Sequence, residues 1–263
     1  MPGAFKAVKK NGSVYYRSSV TFRNKHISLG SYDRETEAEE AYKEARAVLY
    51  TEQRIEDYSS SLLLRFDKFV CLINFRDNGV YIKNPVYLMN RYFLYYIDPD
   101  TVFKFDIDDL FFYSSHYISR RGGHFFVADY GMQININSRY GIRRHAVLNR
   151  DYRFINGDRF DYRYENIDII NRYFGVQKFE KNGKALYRVR ILVNGSYLVG
   201  TYESETEAAI AYNKAADLIT KRLPGKKYEL NYIDTISPKE YAEIYTDLPV
   251  SEKLYDLRAD HYR

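Results

Sequence analysis

The sequence predicts an α+β protein: two small modules, each of strands followed by one helix, flanking a mixed α+β middle segment. Three observations predict it. The chain repeats itself at its two ends, each repeat passes from strand-like alternation to helical spacing, and the segment between them carries short aromatic, strand-like runs.

Lys10-Asn-Gly12, Tyr16-Arg17, Gly30-Ser-Tyr32, Glu35-Thr-Glu-Ala38, Ala41-Tyr42 and Ala45 return in the same order about 170 residues later. Their counterparts are Lys181-Asn-Gly183, Tyr187-Arg188, Gly200-Thr-Tyr202, Glu205-Thr-Glu-Ala208, Ala211-Tyr212 and Ala215. The offset slips by one residue between Arg17 and Gly30, as a one-residue loop insertion produces.

Within the second copy, Val189, Ile191 and Val193 alternate with Arg188, Arg190 and Leu192, which puts the arginines on an exposed strand face. Asn194-Gly195 is a two-residue hairpin signal leading into a strand from Ser196 to Tyr202. Ala208, Ala211, Tyr212, Ala215, Leu218 and Ile219 then follow helical spacing, with Ser204 and Glu207 placed as a capping box. Ala38, Ala41, Tyr42, Ala45, Val48 and Leu49 form the same stripe in the first copy. A stripe so rich in alanine lets the helix lie close against its sheet.

Between the copies, strand-like runs are read at Phe69 to Phe75, Val86 to Ile97 and Phe125 to Tyr130. Basic clusters at Arg120-Arg121 and at Arg139, Arg143 and Arg144 flank them and are candidate phosphate contacts, with a solvated surface as the other reading. Asp98 to Asp109 holds five Asp, yet Asp106, Asp108 and Asp109 lack the Gly-containing loop of a calcium site, so a solvated loop or a helix start is expected. Ser237 to Tyr245 reads as a helix with Pro in its first turn. The expected divisions are 1–60, 61–171, 172–236 and a helical tail at 237–263.

Composition excludes several classes. With 45% hydrophobic and 29% charged residues, the chain is expected to fold rather than stay disordered. The 29 Tyr and 16 Phe, against no Trp, are read first as half-buried core and strand positions, with stacking on bases as the other use. Cys71, the single cysteine, lies in an apolar run and provides neither a disulfide nor a thiolate metal cluster. No apolar stretch approaches the ~18 residues of a membrane span. The N-terminus Met1-Pro-Gly-Ala-Phe-Lys lacks the hydrophobic segment of a signal peptide. The expected location is cytoplasmic, in a bacterial or phage setting and at the nucleoid, with no membrane contact.

Charge separates the two faces of each module. Residues 1–30 hold six Lys or Arg and no acid, whereas 31–60 hold nine acids against four bases. Residues 175–202 hold five bases and one acid. Acids capping a helix start explain Glu35 and Glu37 but not an acid-free strand region. A polyanion attracted to the sheet and repelled by the helix does.

Gly200-Thr-Tyr202, Glu207-Ala-Ala-x-Ala-Tyr212 and Leu230-Asn-Tyr232 resemble the AP2/ERF-type DNA-binding domain of plant transcription factors and of bacterial and phage homing endonucleases and integrases. The second copy covers 173–233 and the first 3–50, the first without a Leu-Asn-Tyr closure and both without the Trp residues of the plant members. The resemblance implies a three-stranded antiparallel sheet laid in the major groove of double-stranded DNA, reading base edges with Arg, with one helix behind it. By alternation, Lys6, Lys9, Arg17, Ser19 and Arg23 are placed on the groove face of the first copy, and Gln177, Lys178, Lys181, Arg188 and Arg190 on that of the second.

Asp151 to Ile167 resembles the core of HNH homing endonucleases, whose frame survives in Asn156, Gly157, Asp158, Asp161, Arg163 and Asn166. The resemblance implies a middle domain of ββα type and puts the metal-binding Asp and the general-base His of that family at Arg153 and Phe154. A later ligand, on a helix expected after Asn166, falls near Gly175, and Tyr162 replaces an Asn. Arg153 repels a cation and Phe154 has no proton to exchange. His145 is the one substitute base nearby.

The expectation is therefore a sequence-specific DNA-binding protein, a transcriptional regulator or architectural protein descended from a homing endonuclease that has lost catalysis. No cofactor, metal or small-molecule substrate is expected, and protein partners stay open. An active HNH nickase with an atypical metal site is the alternative, and a scaffold using the repeats for protein contacts is a third reading.

Overall fold

The computed structural model describes residues 3–257. They form an α+β protein with five antiparallel sheets of two or three strands and five α-helices. Among them no helix is long and apolar enough to cross a membrane. Two compact units divide the chain, one of Met1–Ile136 with Asn156–Asn166 and one of Asn137–Ile155 with Ile167–Arg263.

The first unit opens with the meander β1 (Ala4–Val8), β2 (Val14–Phe22) and β3 (Lys25–Tyr32), followed by α1 (Glu35–Tyr50). Ala38, Ala41 and Ala45 of α1 are fully buried; Ala45, Val48 and Leu49 pack in one core with Val20, Ile27 and Leu29 of the sheet. Arg34 and Glu37 cap the helix start through the Arg34 N–H to the carboxylate (3.3 Å) and the side-chain ion pair (2.6 Å).

Phe69–Phe75 is helical, not a strand: it forms the centre of α2 (Phe66–Asn78), in which seven consecutive residues from Phe69 to Phe75 are buried. A helix covered all round shows no amphipathic period, so its apolar run reads like a buried strand. Gly79, left-handed at φ 72°, ends it by donating to the Phe75 carbonyl. Burial pushes the Cys71 thiol up to about 12, so it is inert packing that donates to the Lys83 and Asn84 carbonyls.

The rest of the first unit is built on aromatic rings. Val86–Ile97 is two strands, β4 (Val86–Leu88) and β5 (Tyr92–Asp98), joined by a turn in which the Met89 N–H reaches the Tyr92 carbonyl. With β6 (Thr101–Asp106) they make a second sheet, and the short α3 (Leu110–Ser115) follows. Asp109 is buried at this helix start rather than solvated. A third sheet comprises β7 (Ile118–Arg121), β8 (His124–Asp129) and β9 (Met132–Asn135).

The second unit contains the strand pair β10 (Tyr152–Phe154) and β11 (Ile167–Ile169). The helix expected after Asn166 is absent. The branched residues Ile167 and Ile169 pair with β10, and the chain runs through Gly175, at φ 70°, into the next sheet. That sheet is β12 (Val176–Lys181), β13 (Lys184–Leu192) and β14 (Ser196–Tyr202), followed by α4 (Glu205–Arg222) and by α5 (Pro238–Asp247), which begins with the expected proline.

The end repeats agree in detail. Both third strands carry a β-bulge at the same point: Ser18 pairs Gly30 while Ser19 pairs Ser28, and Val189 pairs Gly200 while Arg190 pairs Leu198. The extra residue of the first copy comes from its longer hairpin arms: four pairs beyond the bulge, ending at Phe22–Lys25, close on the turn Arg23-Asn24 (φ 45° and 61°), against three pairs in the second copy. The second hairpin is Val193-Asn194-Gly195, three residues rather than two, because Val193 is drawn into the core and its N–H bonds the Gly195 carbonyl. Ser204 caps α4 by position, but its hydroxyl makes no capping bond.

Two positions hold each sheet to its helix. The carbonyls of Gly3 and Gly175 accept from the N–H groups of Ser19 and Arg190. Both glycines lie so close to a helix tyrosine, Tyr42 or Tyr212, that a Cβ would overlap its ring. In the second copy Asn231 of the Leu-Asn-Tyr closure is buried; it exchanges bonds with Asn213 of α4 and takes the Phe174 N–H (2.7 Å).

Gly175→Ala tests this anchor. Its Cβ would meet the Arg190 carbonyl and the Tyr212 ring at 2.3 Å, on left-handed backbone. A loss on the order of 2–5 kcal/mol is expected, read as a lower denaturation midpoint at constant m. Gly183→Ala, at φ 74° with open space around it, should cost about 1–2 kcal/mol from backbone strain alone.

Candidate nucleic-acid interface

Each end sheet has one face against its helix and one face open. In antiparallel pairing, residues directly opposite share a face. The buried Val20 and Ile27 pair marks the helix side of the first sheet, and the buried Val189 and Val176 pair that of the second. Every other residue is assigned by alternation from those pairs.

On the open face of the first sheet, Phe5 pairs Arg17, Ala7 pairs Tyr15, Ser19 pairs Ser28 and Thr21 pairs His26. Arg17 is steered by Tyr15, whose hydroxyl accepts from its Nε (3.0 Å) and Nη2 (2.6 Å), and Lys9 sits over the same ring at 5.7 Å. Lys9, Arg17 and Ser19 therefore share this face. Lys6 and Arg23 do not. Lys6 pairs Tyr16 in the helix-side row, because one step along a strand reverses the face. Arg23 lies in the hairpin, over the Phe22 ring, with its Nη1 on the Phe75 carbonyl at 3.4 Å.

The second sheet presents Gln177, Phe179, Lys181, Lys184, Leu186, Arg188, Arg190, Leu192, Leu198 and Thr201 on its open face. Arg188 stacks on Phe179 with 4.6 Å between guanidinium and ring centre, and Arg190 reaches the Ser196 hydroxyl (3.4 Å). Lys178 falls on the other row, opposite Tyr187, with its backbone N–H on Asn171. The one acid of these strands, Glu180, pairs Ala185 on that same helix-side row. Neither open face carries an acid in its strands.

No family model, curated protein or solved structure matches the chain. Its chemistry is accordingly read from its own side chains.

The HNH-like stretch is divided between the two units. In the second unit, Arg153 and Asp168 form a cross-strand ion pair at 2.8 Å, both partly exposed, and Phe154 is buried. In the first, residues 156–166 form a loop bound along β6 through Lys104 N–H to the Phe160 carbonyl and Tyr162 N–H to the Lys104 carbonyl. Asp161 is wholly buried and receives Arg163 through Nε (2.8 Å) and Nη2 (2.6 Å) and Asn156 through Nδ2 (2.9 Å). Burial raises its pKa, and these bonds outweigh burial and hold it below the usual carboxylate range. Asn166 accepts the Asn156 N–H and donates to the Asp161 carbonyl. The motif residues Asn156, Asp161, Arg163 and Asn166 satisfy one another, which is a loop-holding role. Among the described residues, no group of three or more His, Cys, Asp or Glu is placed to hold a metal ion.

The basic clusters separate as well. Arg120 and Arg121 are exposed on β7, and Arg139, Arg144 and His145 are exposed in the second unit. Arg143 is not available to phosphate: it is partly buried, paired with Asp151 at 3.0 Å and bonded to the Asn171 carbonyl. The alternation put Leu192 on the exposed face with the arginines but gave it no role, and it did not reach Leu186 or Leu198. Leu192 is 72% and Leu198 48% exposed beside Arg190, and their apolar side chains suit the methyl group of thymine. Extending the same alternation back from Arg188 would have found Leu186; Leu198 depended on the bulge.

Proposed function

We propose that the chain is a sequence-specific double-stranded DNA-binding protein, two AP2/ERF-type modules flanking a degenerate HNH-like segment, each module laying the open face of its sheet in a major groove. It acts as a transcriptional regulator or architectural protein derived from a homing endonuclease that has lost catalysis. The observation that carries this reading is the sorting of charge by face: the strand acid lies on the helix side in the second sheet and there is none in the first, while Lys9, Arg17, Lys181, Lys184, Arg188 and Arg190 are on the open sides. A solvated surface has no reason to keep acids off both open faces while cations gather there; a phosphate-lined groove has. Arg suits guanine O6 and N7, and Leu suits thymine.

Selection of bound fragments from random duplex DNA, followed by affinity against salt, tests it. With about 6–10 phosphate contacts, affinity is expected to fall roughly 10³- to 10⁵-fold between 50 and 200 mM salt. A flat response, or no enriched sequence, overturns the reading.

Cleavage is not expected with Mg²⁺ or Mn²⁺. Metal and general-base contributions are each worth about 10²- to 10⁴-fold in such hydrolysis. Here Arg153 is committed to Asp168, and Phe154 is a buried ring. Incubating the protein with its selected site on supercoiled plasmid checks this. Nicking that is lost with chelator and with His145→Ala would favour the nickase instead.

A further inference from the structure

The β7–β8 hairpin of the first unit shares the charge signature of the two sheets without belonging to either. Residues 117–128 hold Arg120, Arg121 and His124 and no acid. Its two-residue tip, Gly122-Gly123 at φ 57° and 78°, closes on the Arg121–His124 pair, and no atom lies within 4 Å of where a Cβ would stand on either glycine. The tip therefore stands clear in solvent.

Below it, three rings support two guanidiniums. Phe103, nearly fully buried, meets Phe125 at 4.8 Å and Phe160 at 5.3 Å, and Phe125 and Phe160 lie 6.4 Å apart. Arg120 rests over Phe125 at 5.8 Å and Arg159 over Phe160 at 4.8 Å. Both arginines and Arg121 are exposed and make no ion pair among the described residues. The nearby acids are committed elsewhere: Asp158 to Lys104 at 3.0 Å, Asp161 to Arg163, and Asp129 to His116 at 3.5 Å. Like charges gathered without counter-charge repel one another, and stacking on rings fixes their direction rather than neutralising them.

We infer that Arg120, Arg121 and Arg159 form a third DNA contact, made to the phosphate backbone of duplex DNA rather than to base edges. This inference rests on the DNA-binding reading of the sheets. Arg120 and Arg121 on the glycine-tipped hairpin and Arg159 on the neighbouring loop present unpaired guanidiniums, two of them held over rings, which match phosphate oxygens by bidentate bonding. Arg121 stands at the hairpin tip and Arg159 on the loop, not in a row across one sheet face, so the three add affinity and salt dependence without sequence information.

The test compares the unmodified chain with Arg120→Ala/Arg121→Ala/Arg159→Ala by titrating the selected duplex and an unrelated duplex over a range of salt. The slope of log affinity against log salt should fall by about 3, close to 0.9 for each contact, equally on both duplexes and with base preference unchanged. Arg121→Ala alone, which removes no ring stacking, should lower it by about 1, and lysine at all three positions should restore it. An unchanged slope in variants that still bind overturns the inference and leaves the two-sheet reading standing. A changed base preference also overturns it, since the hairpin would then read sequence. Failure of the unmodified protein to bind any duplex overturns both.

Discussion

Alanine at Arg188 and Arg190 together should weaken binding to the selected duplex by about 2–6 kcal/mol, roughly 30-fold to 10⁴-fold, at 1–3 kcal/mol for each bidentate base contact. Both side chains stand on the open face of the second sheet, one directed by Phe179 and the other by Ser196. The loss should be concentrated at G·C positions in one half of the site, and Arg17→Ala should act on the other half. Lys178→Ala is the internal control. It removes the same charge one strand position from Phe179 and three from Lys181, an odd spacing that puts it on the helix-side row, and base preference should not move. Selection repeated with each variant decides the matter. If the first- and second-sheet variants degrade the same half-site, two independent reading heads are ruled out.

Asp151→Ala should destabilise the second unit by about 3–5 kcal/mol, because it removes a buried carboxylate that takes four bonds and leaves the partly buried Arg143 without its counter-charge. Asp151 is 2% exposed and accepts from Arg143 (3.0 Å), Arg150 (2.8 Å), the Val147 N–H (2.8 Å) and Asn171 (3.1 Å). Arg143 is itself shielded, and desolvation pulls its pKa down despite Asp151. Burial raises the pKa of Asp151, but the bonds from Arg150, Val147, Arg143 and Asn171 prevail and leave it lowered. The sign follows from linkage. A depressed carboxyl contributes stability that is fully present above its unfolded pKa of about 3.9 and is lost as pH falls through the folded value. The unmodified protein should therefore lose stability below about pH 4, while Asp151→Ala should show a shallower loss there. Denaturant midpoints measured from pH 7 downward will show whether the two curves converge.

Much of the end modules is legible in the sequence, since strand alternation and helical spacing are local and each copy repeats them. Val189 and Ile191 announce one face and Arg188 and Arg190 the other without any knowledge of what they touch. Lys6 and Lys178 were misplaced against that logic, since Lys6 differs in parity from Lys9 and Lys178 from Gln177 and Lys181. Only pairing with Tyr16 and Tyr187 shows which way those lysines lie. Phe69–Phe75 failed for the opposite reason: burial on all sides erased its period. The HNH-like residues were recognisable as a string, but their spacing carries no information on what each one bonds. Asp161, Arg163, Asn156 and Asn166 turn out to be bonded to one another.

By itself the sequence determined the repeat, the α+β class, the strand-then-helix order of each copy, and the segregation of acids from basic strands, because these depend on residue type at short spacing. The tertiary structure alone decided that Glu180 lies away from the arginines, that Arg143 serves Asp151, and that Arg120 and Arg159 meet over neighbouring rings. Those outcomes depend on cross-strand register and on contacts between residues up to dozens of positions apart. Such contacts are chosen by the free energy of the whole packed unit, not by any one segment's preference.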